Sequence, residues 1–226
     1  MAAGTLVSEL AIAKELGSSR SPIREAISQL VAEGLLEQSA GGSILVVRLT
    51  RDDIADLCEL REALETHALR KVARFGLMRA EDKTHLGKLV SAIAGLKQEL
   101  LAAGESTLSE TQMKRFIAAD LNFHTILIAL SYNARINKIV NDTRLLMRIF
   151  SMPRRGHTIV ELDRIHGHHE LLLEQIGRRE VDATVKTITE YLQESQRERL
   201  EEFDQRAREE SVRGSLAVLL EDSFAL

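Results

Sequence analysis

The sequence predicts a mainly α-helical protein made of two unlike parts that meet near residue 50. Three observations support this prediction. Leu, Ala, Glu and Arg, which favour helices, dominate the 226 residues; only two residues are proline and few are aromatic; and the clearest β-hairpin pattern falls before residue 50. With 44% hydrophobic residues the chain can bury a core. We expect short elements up to residue 49 and an antiparallel bundle of about six helices after it.

Composition also limits the cell compartment and the class of partner. No apolar run approaches the roughly 20 residues that a membrane-spanning helix needs, and the N-terminus carries no signal-peptide pattern. The single cysteine, Cys58, excludes an internal disulfide and fits a reducing compartment. We therefore expect a cytoplasmic protein that uses no membrane. Because the net charge is −4, any surface for nucleic acid has to be local.

The first predicted helix covers residues 8–17. Leu10, Ala13 and Leu16 recur at helical spacing and are expected to form its inner face, and Gly17 suits its C-terminal stop.

The second predicted helix begins at Ser21 as N-cap, with Pro22 at the first helical position, where a missing N–H costs nothing. It ends at Gly34. The residues expected on its inner face are Ile23, Ala26, Ile27 and Leu30.

A hairpin follows at residues 35–49, as a short strand, a Gly-Gly turn and a second β-rich strand. Helix, tight turn, helix and hairpin together predict a winged helix-turn-helix domain over residues 1–49. In such a domain the start of the second helix enters the major groove of double-stranded DNA. Arginine matches guanine or phosphate, and serine hydroxyls match phosphate. The predicted DNA-binding residues are Ser18, Ser19, Arg20, Ser21, Pro22 and Arg24. The alternative is an ordinary surface helix with two solvated arginines.

From Thr50 onward six helical segments are joined by short connections and form a second predicted domain over residues 50–206. The segments are 50–76, 79–104, 108–131, 133–152 (broken by Pro153), 156–177 and 179–210. Residues 207–226 are predicted as a C-terminal tail. Its apolar end, "SLAVLLEDSFAL", suggests a segment that docks on a partner.

One pair of residues in the bundle has the chemistry of a metal site. Asp120 and His124 are four residues apart and share one helix face, so that a carboxylate and an imidazole can hold one divalent ion. His169 lies on a later helix. The alternative is a hydrogen-bonded Asp–His pair in a polar core, with His166, His168 and His169 on the helix surface.

Several stretches resemble the GntR family of bacterial regulators. "LGSSRSPIREAISQLVAEGLLE" is similar to the recognition helix and its exit in that family. "LTRDDIADLCELREALETHALRKVA" resembles the junction into its FadR-type ligand-binding domain, called FCD. "DLNFHTILIALSYN" and "HHELLLEQIGRREVDATVKTITEYL" resemble two further blocks of that domain. The resemblance covers residues 4 to about 200.

The resemblance implies a homodimeric, ligand-responsive transcription regulator, with repression as the default, that binds an operator in double-stranded DNA and a small carboxylate effector. It also implies a bundle metal (zinc, nickel or manganese) held by Asp120, His124 and His169. The family's fourth ligand position falls on Tyr191, a poor ligand because a phenol of pKa near ~10 stays protonated at pH 7. His166 is a remote substitute. Guanidinium groups bind carboxylates bidentately. The residues predicted around the effector are Arg61, Tyr191, Arg144 and Arg148. For Arg61, a salt bridge to Glu65 is an equal alternative.

The N-terminal part departs from the family pattern. A whole helix precedes the family's equivalent of residue 4, and Leu10 replaces a frequent DNA-contacting arginine. The wing "SAGGS" lacks the family's basic residue. Residues 1–50 carry four Lys and Arg against five Glu, although phosphate contacts need cations. We therefore expect weak DNA binding, and the alternative function is a ligand- or metal-binding helical protein that has lost DNA binding through a truncated N-terminus.

An enzyme is not predicted, because the sequence has no nucleophile elbow, no Gly-rich phosphate loop and no HExxH motif. The expected mechanism is regulatory. An effector tightens the bundle around Asp120, His124 and His169 and thereby reorients the first bundle helix, which is joined directly to the wing.

Overall fold

A computed structural model describes residues 4–150 and 155–223, with the side chains of residues 148–150, 210, 211 and 213–223 outside the description. The described residues form eight helices and a three-stranded sheet, in two parts that join at residues 47–50. None of the described helices is long and apolar enough to cross a membrane.

The N-terminal part contains three strands and two helices, the winged helix-turn-helix fold that the sequence predicts. In chain order they are β1 (Leu6–Val7), α1 (Glu9–Glu15), α2 (Arg20–Ala32), β2 (Leu36–Gln38) and β3 (Ile44–Val46). The predicted hairpin is confirmed: β2 and β3 are antiparallel, with Leu36 opposite Val46. A third strand, β1, which the sequence did not indicate, pairs with the other edge of β3.

Two details of these helices differ from the prediction. Of the three apolar residues expected inside on α1, only Ala13 is buried, while Leu10 and Leu16 are 64% and 67% exposed. Within the described residues α1 packs against α2 and no other helix, which leaves much of its surface uncovered.

Helix α2 starts two positions earlier than expected, with Ser19 as N-cap and Pro22 at the third helical position. Pro22 is tolerated there because the first four N–H groups of a helix have no intrahelical partner. Its buried residues are Ile23 and Ile27, whereas Ala26 is exposed and Leu30 half-buried.

The C-terminal part is the predicted bundle of six helices. They are α3 (Arg51–Phe75), α4 (Ala80–Ala103), α5 (Glu110–Ala129), α6 (Ala134–Phe150), α7 (Ile159–Gly177) and α8 (Val181–Ser223). Helix α3 packs against α5, α6, α7 and α8 and is therefore the central helix. Helix α8 continues beyond residue 210 into the segment that the sequence predicted as a tail. The predicted docking of that tail on a partner depends on side chains that lie outside the described residues.

Helix α3 begins and ends on local signals. Thr50 and Asp53 form a capping box, in which the Thr50 hydroxyl accepts from the Asp53 N–H and the Asp53 carboxylate accepts from the Thr50 N–H. Gly76 closes the helix in the left-handed conformation, at φ 59°. These signals fix where the first bundle helix joins the wing.

We expect Thr50→Ala to lower the free energy of unfolding by about 1 kcal/mol, since a lost N-cap leaves helix N–H groups unpaired. This corresponds to a drop of about 2–4 °C in melting temperature for a chain of this size. Thermal unfolding followed by circular dichroism measures it. Thr84→Ala, inside α4 and exposed, is the control and should not lower the melting temperature, because Ala favours a helix more than Thr does.

A small cluster packs the start of α3 against α6 and α8. Ile54, Cys58 and Met147 are buried in it, and the half-buried side chains packed around them are Leu49, Leu57, Leu200 and Phe203. Beside this cluster Arg51 Nε donates to Asp204 Oδ1 at 2.9 Å. We call this group the linker cluster, because it holds the chain where the wing leads into the bundle.

Candidate metal centre and adjoining cavity

Asp120, His124 and His169 meet inside the bundle because α5 and α7 start side by side. A β-bridge joins Thr107 to Thr158 just before the two helices. Asp120 and His169 each lie ten residues after the first residue of their helix. At 1.5 Å per residue, both lie about 15 Å into the bundle.

The alignment at these helix starts depends on Gly156. A Cβ at this position would lie 1.8 Å from the Leu108 carbonyl oxygen, a distance that no side chain tolerates. Next to it Leu108 N–H donates to the carbonyl of His157 at 2.9 Å.

The three side chains converge on one point. The Nε2 atoms of His124 and His169 are 3.2 Å apart, and Asp120 Oδ1 lies 3.4 Å from His169 Nε2 and 3.8 Å from His124 Nε2. A point about 2.0 Å from all three atoms exists in such a triangle, which is the length of Zn–N and Zn–O bonds. This group is the only cluster of metal-binding type among the described residues. The three side chains therefore fit one divalent ion.

The two histidines have the environment of metal ligands. Both imidazoles are fully buried. Phe123 stacks on His169, with ring centroids 4.1 Å apart, and Tyr191 stacks on His124 at 4.9 Å. Burial, together with the charge of Arg144, holds the pKa of His124 well below its usual value. His124 is therefore neutral at pH 7, the form that ligates a metal.

Asp120 is an ionised carboxylate at this site. Burial by itself acts to raise its pKa, but the hydrogen bond to His169 and the interactions with both imidazoles and with Arg144 hold that pKa well below the usual range. Asp120 thus presents an anionic oxygen to the two imidazoles.

Tyr191 lies beside the three-residue cluster as a hydrogen-bond donor. Its hydroxyl donates to Asp120 Oδ1 at 2.8 Å. Burial, followed by the negative charge of Asp120, raises the pKa of the phenol well above its usual value. The phenol stays protonated at pH 7, so Tyr191 orients the Asp120 carboxylate instead of supplying an anionic ligand.

Glu65 is the centre of a buried charge network behind the cluster. It accepts from Arg61 Nε at 2.9 Å and from Arg144 Nη2 at 2.6 Å, and its Oε2 lies 3.6 Å from His124 Nδ1. Burial opposes ionisation, but Arg144, Arg61 and His124 outweigh it and lower the pKa of Glu65 to about 2. Sequence reasoning treated Glu65 only as a partner of Arg61, because Arg144 lies 79 residues away in the chain.

A cavity of about 280 Å³ opens beside these groups, and Asp120, Tyr191, Arg61 and Arg144 all line it. Four residues predicted from the sequence for one site therefore share one cavity. For Arg61 both sequence alternatives hold, since it binds Glu65 and also faces the cavity. The side chain of Arg148 lies outside the described residues. The apolar lining of the cavity was not predicted from the sequence.

The other histidines of α7 do not join the metal-type cluster. His166 Nδ1 lies 3.4 Å from Glu170 Oε2 at the surface, and His168 contacts the edge of the Tyr191 ring. The idea that His166 substitutes for Tyr191 is wrong. Phe123 packs on the rings of both His124 and His169.

The predicted DNA-binding residues form one exposed surface at the start of α2. Ser18, Ser19, Arg20, Ser21, Pro22 and Arg24 are all exposed. Both arginines, however, pair with one carboxylate of α1: Arg24 Nη2 lies 3.1 Å and Arg20 Nη2 lies 3.7 Å from Glu9 Oε2. No pattern in the sequence indicated this contact.

Two family profiles match the chain. The profile of the FCD domain matches residues 56–194, and that of bacterial regulatory proteins of the gntR family matches residues 1–46.

Curated relatives are similar over most of the chain. The gluconate operon transcriptional repressor of Bacillus licheniformis is 24% identical over 189 residues, which are 82% of this chain and 72% of that protein. The Nta operon transcriptional regulator of Aminobacter aminovorans is 33% identical over 139 residues, 62% of this chain and 60% of that protein.

Solved structures share the fold. E. coli McbR/YncC matches with a TM-score of 0.69 at 15% identity, over 90% of both chains. The Lar protein of Listeria monocytogenes matches with a TM-score of 0.62 at 19% identity, over 88% of both chains.

Proposed function

This chain belongs to the GntR family of bacterial transcriptional regulators and carries an FCD domain, and on that premise we propose that its DNA binding responds to a small organic acid held at a divalent metal ion. The metal is held by Asp120, His124 and His169, with zinc, nickel or manganese as candidates. The regulator acts as a homodimer, and its default action is repression.

One observation carries this proposal: the buried metal-type cluster lies next to the end of a cavity that is lined by the guanidinium groups of Arg61 and Arg144. The positive charges of Arg61 and Arg144 are balanced by the negative charges of Glu65 and Asp120. A bound divalent ion therefore gives this end of the cavity a net charge of +2. Such a site attracts an anion. When bound, the metal supplies a Lewis-acidic position for a carboxylate oxygen.

Arg61 is the residue best placed to bind the second oxygen of the acid. Its Nε is used by Glu65, but its Nη1 contacts only the Met147 sulfur, at 3.8 Å, among the contacts described. A thioether is a weak acceptor. A carboxylate is a much stronger one, so this N–H group gains by turning to the effector.

Transmission to DNA follows the linker cluster. Met147 lines the cavity and also packs with Ile54 and Cys58 at the start of α3. Arg199 lines the cavity on α8, and the next turn of the same helix contributes Leu200 and Phe203 to the cluster. An acid that shifts α8 or Met147 on binding therefore changes the packing where the wing joins the bundle. Such a shift requires that the acid has different affinities for the two arrangements of the linker cluster.

We test the function by calorimetric titration of small carboxylic acids into the metal-loaded protein, with and without duplex DNA from its own promoter region. We expect the DNA to change the affinity for the acid about 5- to 150-fold, as coupling free energies of 1–3 kcal/mol give. Replacing Arg20 and Arg24 together with alanine should remove this effect and leave acid binding unchanged. Equal acid affinities with and without DNA would contradict the coupling.

We expect Glu9→Gln to strengthen binding to duplex DNA by up to about fivefold, because the change frees Arg20 and Arg24 for phosphate or base contacts. The gain is limited because exposed ion pairs contribute only about 0–1 kcal/mol. Electrophoretic mobility shift at two salt concentrations measures it. Glu15→Gln, exposed on the same helix, is the charge-matched control. An equal gain in both variants would show a general charge effect only.

A second candidate function is a ligand-binding protein that no longer binds DNA. The pairing of both recognition arginines with Glu9 and the excess of carboxylates in residues 1–50 favour it. Acid binding without any salt-dependent DNA binding would select this function.

A further inference from the structure

We propose that the acid accepted by this cavity is amphipathic, with one carboxylate on an alkyl or aromatic body, and that polyhydroxylated acids are rejected. This inference rests on the proposed function, since it concerns the effector of the same cavity.

The positions of the lining residues along three helices show in which direction the cavity runs. On α5 the lining runs from Asp120 back to Glu110, about 15 Å along the axis. On α8 it runs from Tyr191, which contacts Asp120, forward to Arg199. Arg164, one turn and a half before His169 on α7, pairs with two acids of this α8 stretch. The cavity therefore has an inner end at Asp120 and an outer end at Glu110 and Arg199.

The lining between these ends is a mainly apolar belt. The six apolar side chains that line the cavity are Met113, Phe116, Ile117, Leu121, Met147 and Ile165. Ser195 is the only Ser or Thr among the described lining residues. A ligand body in the belt therefore lies mostly against carbon and sulfur.

Most of the charged groups at the outer end pair with one another. Arg164 pairs with Glu194 and Glu198, and Lys114 pairs with Glu110 at 2.8 Å. A ligand hydroxyl in the belt would lose its hydrogen bonds to water without finding an equal number of protein partners, which is unfavourable. A methylene or aromatic carbon in the same place gains from burial. The cavity thus favours an acid whose anionic head lies at the inner end, beside the metal and Arg61, and whose apolar body lies in the belt.

The test uses hexanoate and gluconate, which have the same number of carbon atoms, and benzoate as an aromatic acid. Each is titrated calorimetrically into the full-length protein loaded with Mn²⁺, with a blank titration into Mn²⁺ alone. We expect hexanoate and benzoate to bind at least ten times more tightly than gluconate. Equal or tighter binding of gluconate overturns the inference and leaves acid sensing standing. If none of the three acids binds, both the inference and the proposed effector are overturned.

A paired substitution tests the belt itself. Ile117→Thr places a hydroxyl in the belt and should weaken hexanoate binding by about tenfold, within the range for a small change in an apolar pocket. Ile126→Thr is the control, because Ile126 is also half-buried on α5 but packs on the bundle core outside the cavity. Unchanged hexanoate affinity in a folded Ile117→Thr protein would overturn the inference.

Discussion

Replacing Glu65 with glutamine should lower the free energy of unfolding by about 3–5 kcal/mol, the cost of removing one partner from a buried ion pair. Glu65 is fully buried and pairs with both Arg61 and Arg144. Glutamine keeps the shape and part of the hydrogen bonding, but it leaves two buried guanidinium charges without their carboxylate. Urea unfolding at pH 7 measures the loss. Glu62→Gln, on the same helix and partly exposed, is the control and should change stability by no more than about 0.5 kcal/mol.

The effect of Glu65 also depends on pH in a defined direction. Its pKa falls from 4.5 to about 2 on folding, so its contribution of about 3 kcal/mol is complete above pH 4.5 and is lost as the pH falls towards 2. The stability difference between the natural protein and Glu65→Gln should therefore be constant from pH 7 to about pH 5 and shrink below that, in metal-free buffer. A difference that stays constant down to pH 3 would show that Glu65 acts through packing and not through its charge.

The second large effect concerns metal content. Elemental analysis of the purified protein should find close to one divalent ion per chain, and Asp120→Ala combined with His124→Ala should remove it. Two of three ligands are then lost, and the remaining imidazole of His169 cannot hold an ion alone. Metal at a thousandfold excess over its dissociation constant stabilises the folded state by about 4 kcal/mol, so its loss should also abolish any metal-dependent rise in melting temperature.

The control for this experiment is His166→Ala. His166 lies on α7 near His169, but it pairs with Glu170 at the surface and should keep the metal. Equal metal in the double variant would place the ion elsewhere. Absence of metal from both proteins, even after incubation with zinc, nickel or manganese, would mean that the three-residue cluster with Tyr191 is a hydrogen-bonded polar core.

Much of the fold could be predicted from the sequence because its signals are local. Thr50 with Asp53 and Gly76 mark the ends of α3, and the Gly-Gly turn marks the hairpin. The inner face of α1 was not predictable in the same way. Helical spacing places Ala13 within one turn of both Leu10 and Leu16, but it does not show whether another element covers these side chains.

The residues of the candidate site likewise include some that local spacing predicts and some that only helix packing brings together. Asp120 and His124 are one turn apart on one helix, so their pairing was visible in the sequence. The resemblance supplied His169 and Tyr191, which packing brings to the same point. Glu65 as a hub for Arg144 and the pairing of Glu9 with Arg24 join residues that are far apart in the chain. Such contacts depend on how the helices pack, which no local pattern encodes.

Met147 belongs both to the cavity wall and to the linker cluster. Under the proposed function, binding of an acid to the cavity and the response of the linker cluster are therefore separate events. An acid that satisfies the metal and Arg61 but leaves Met147 in place would fill the site without disturbing the linker. A broader acid at the same position would displace that side chain and with it the start of α3. Under the proposed function, this cavity would distinguish agonists from antagonists by the width of the acid, and the acid that binds most tightly would not have to be the inducer.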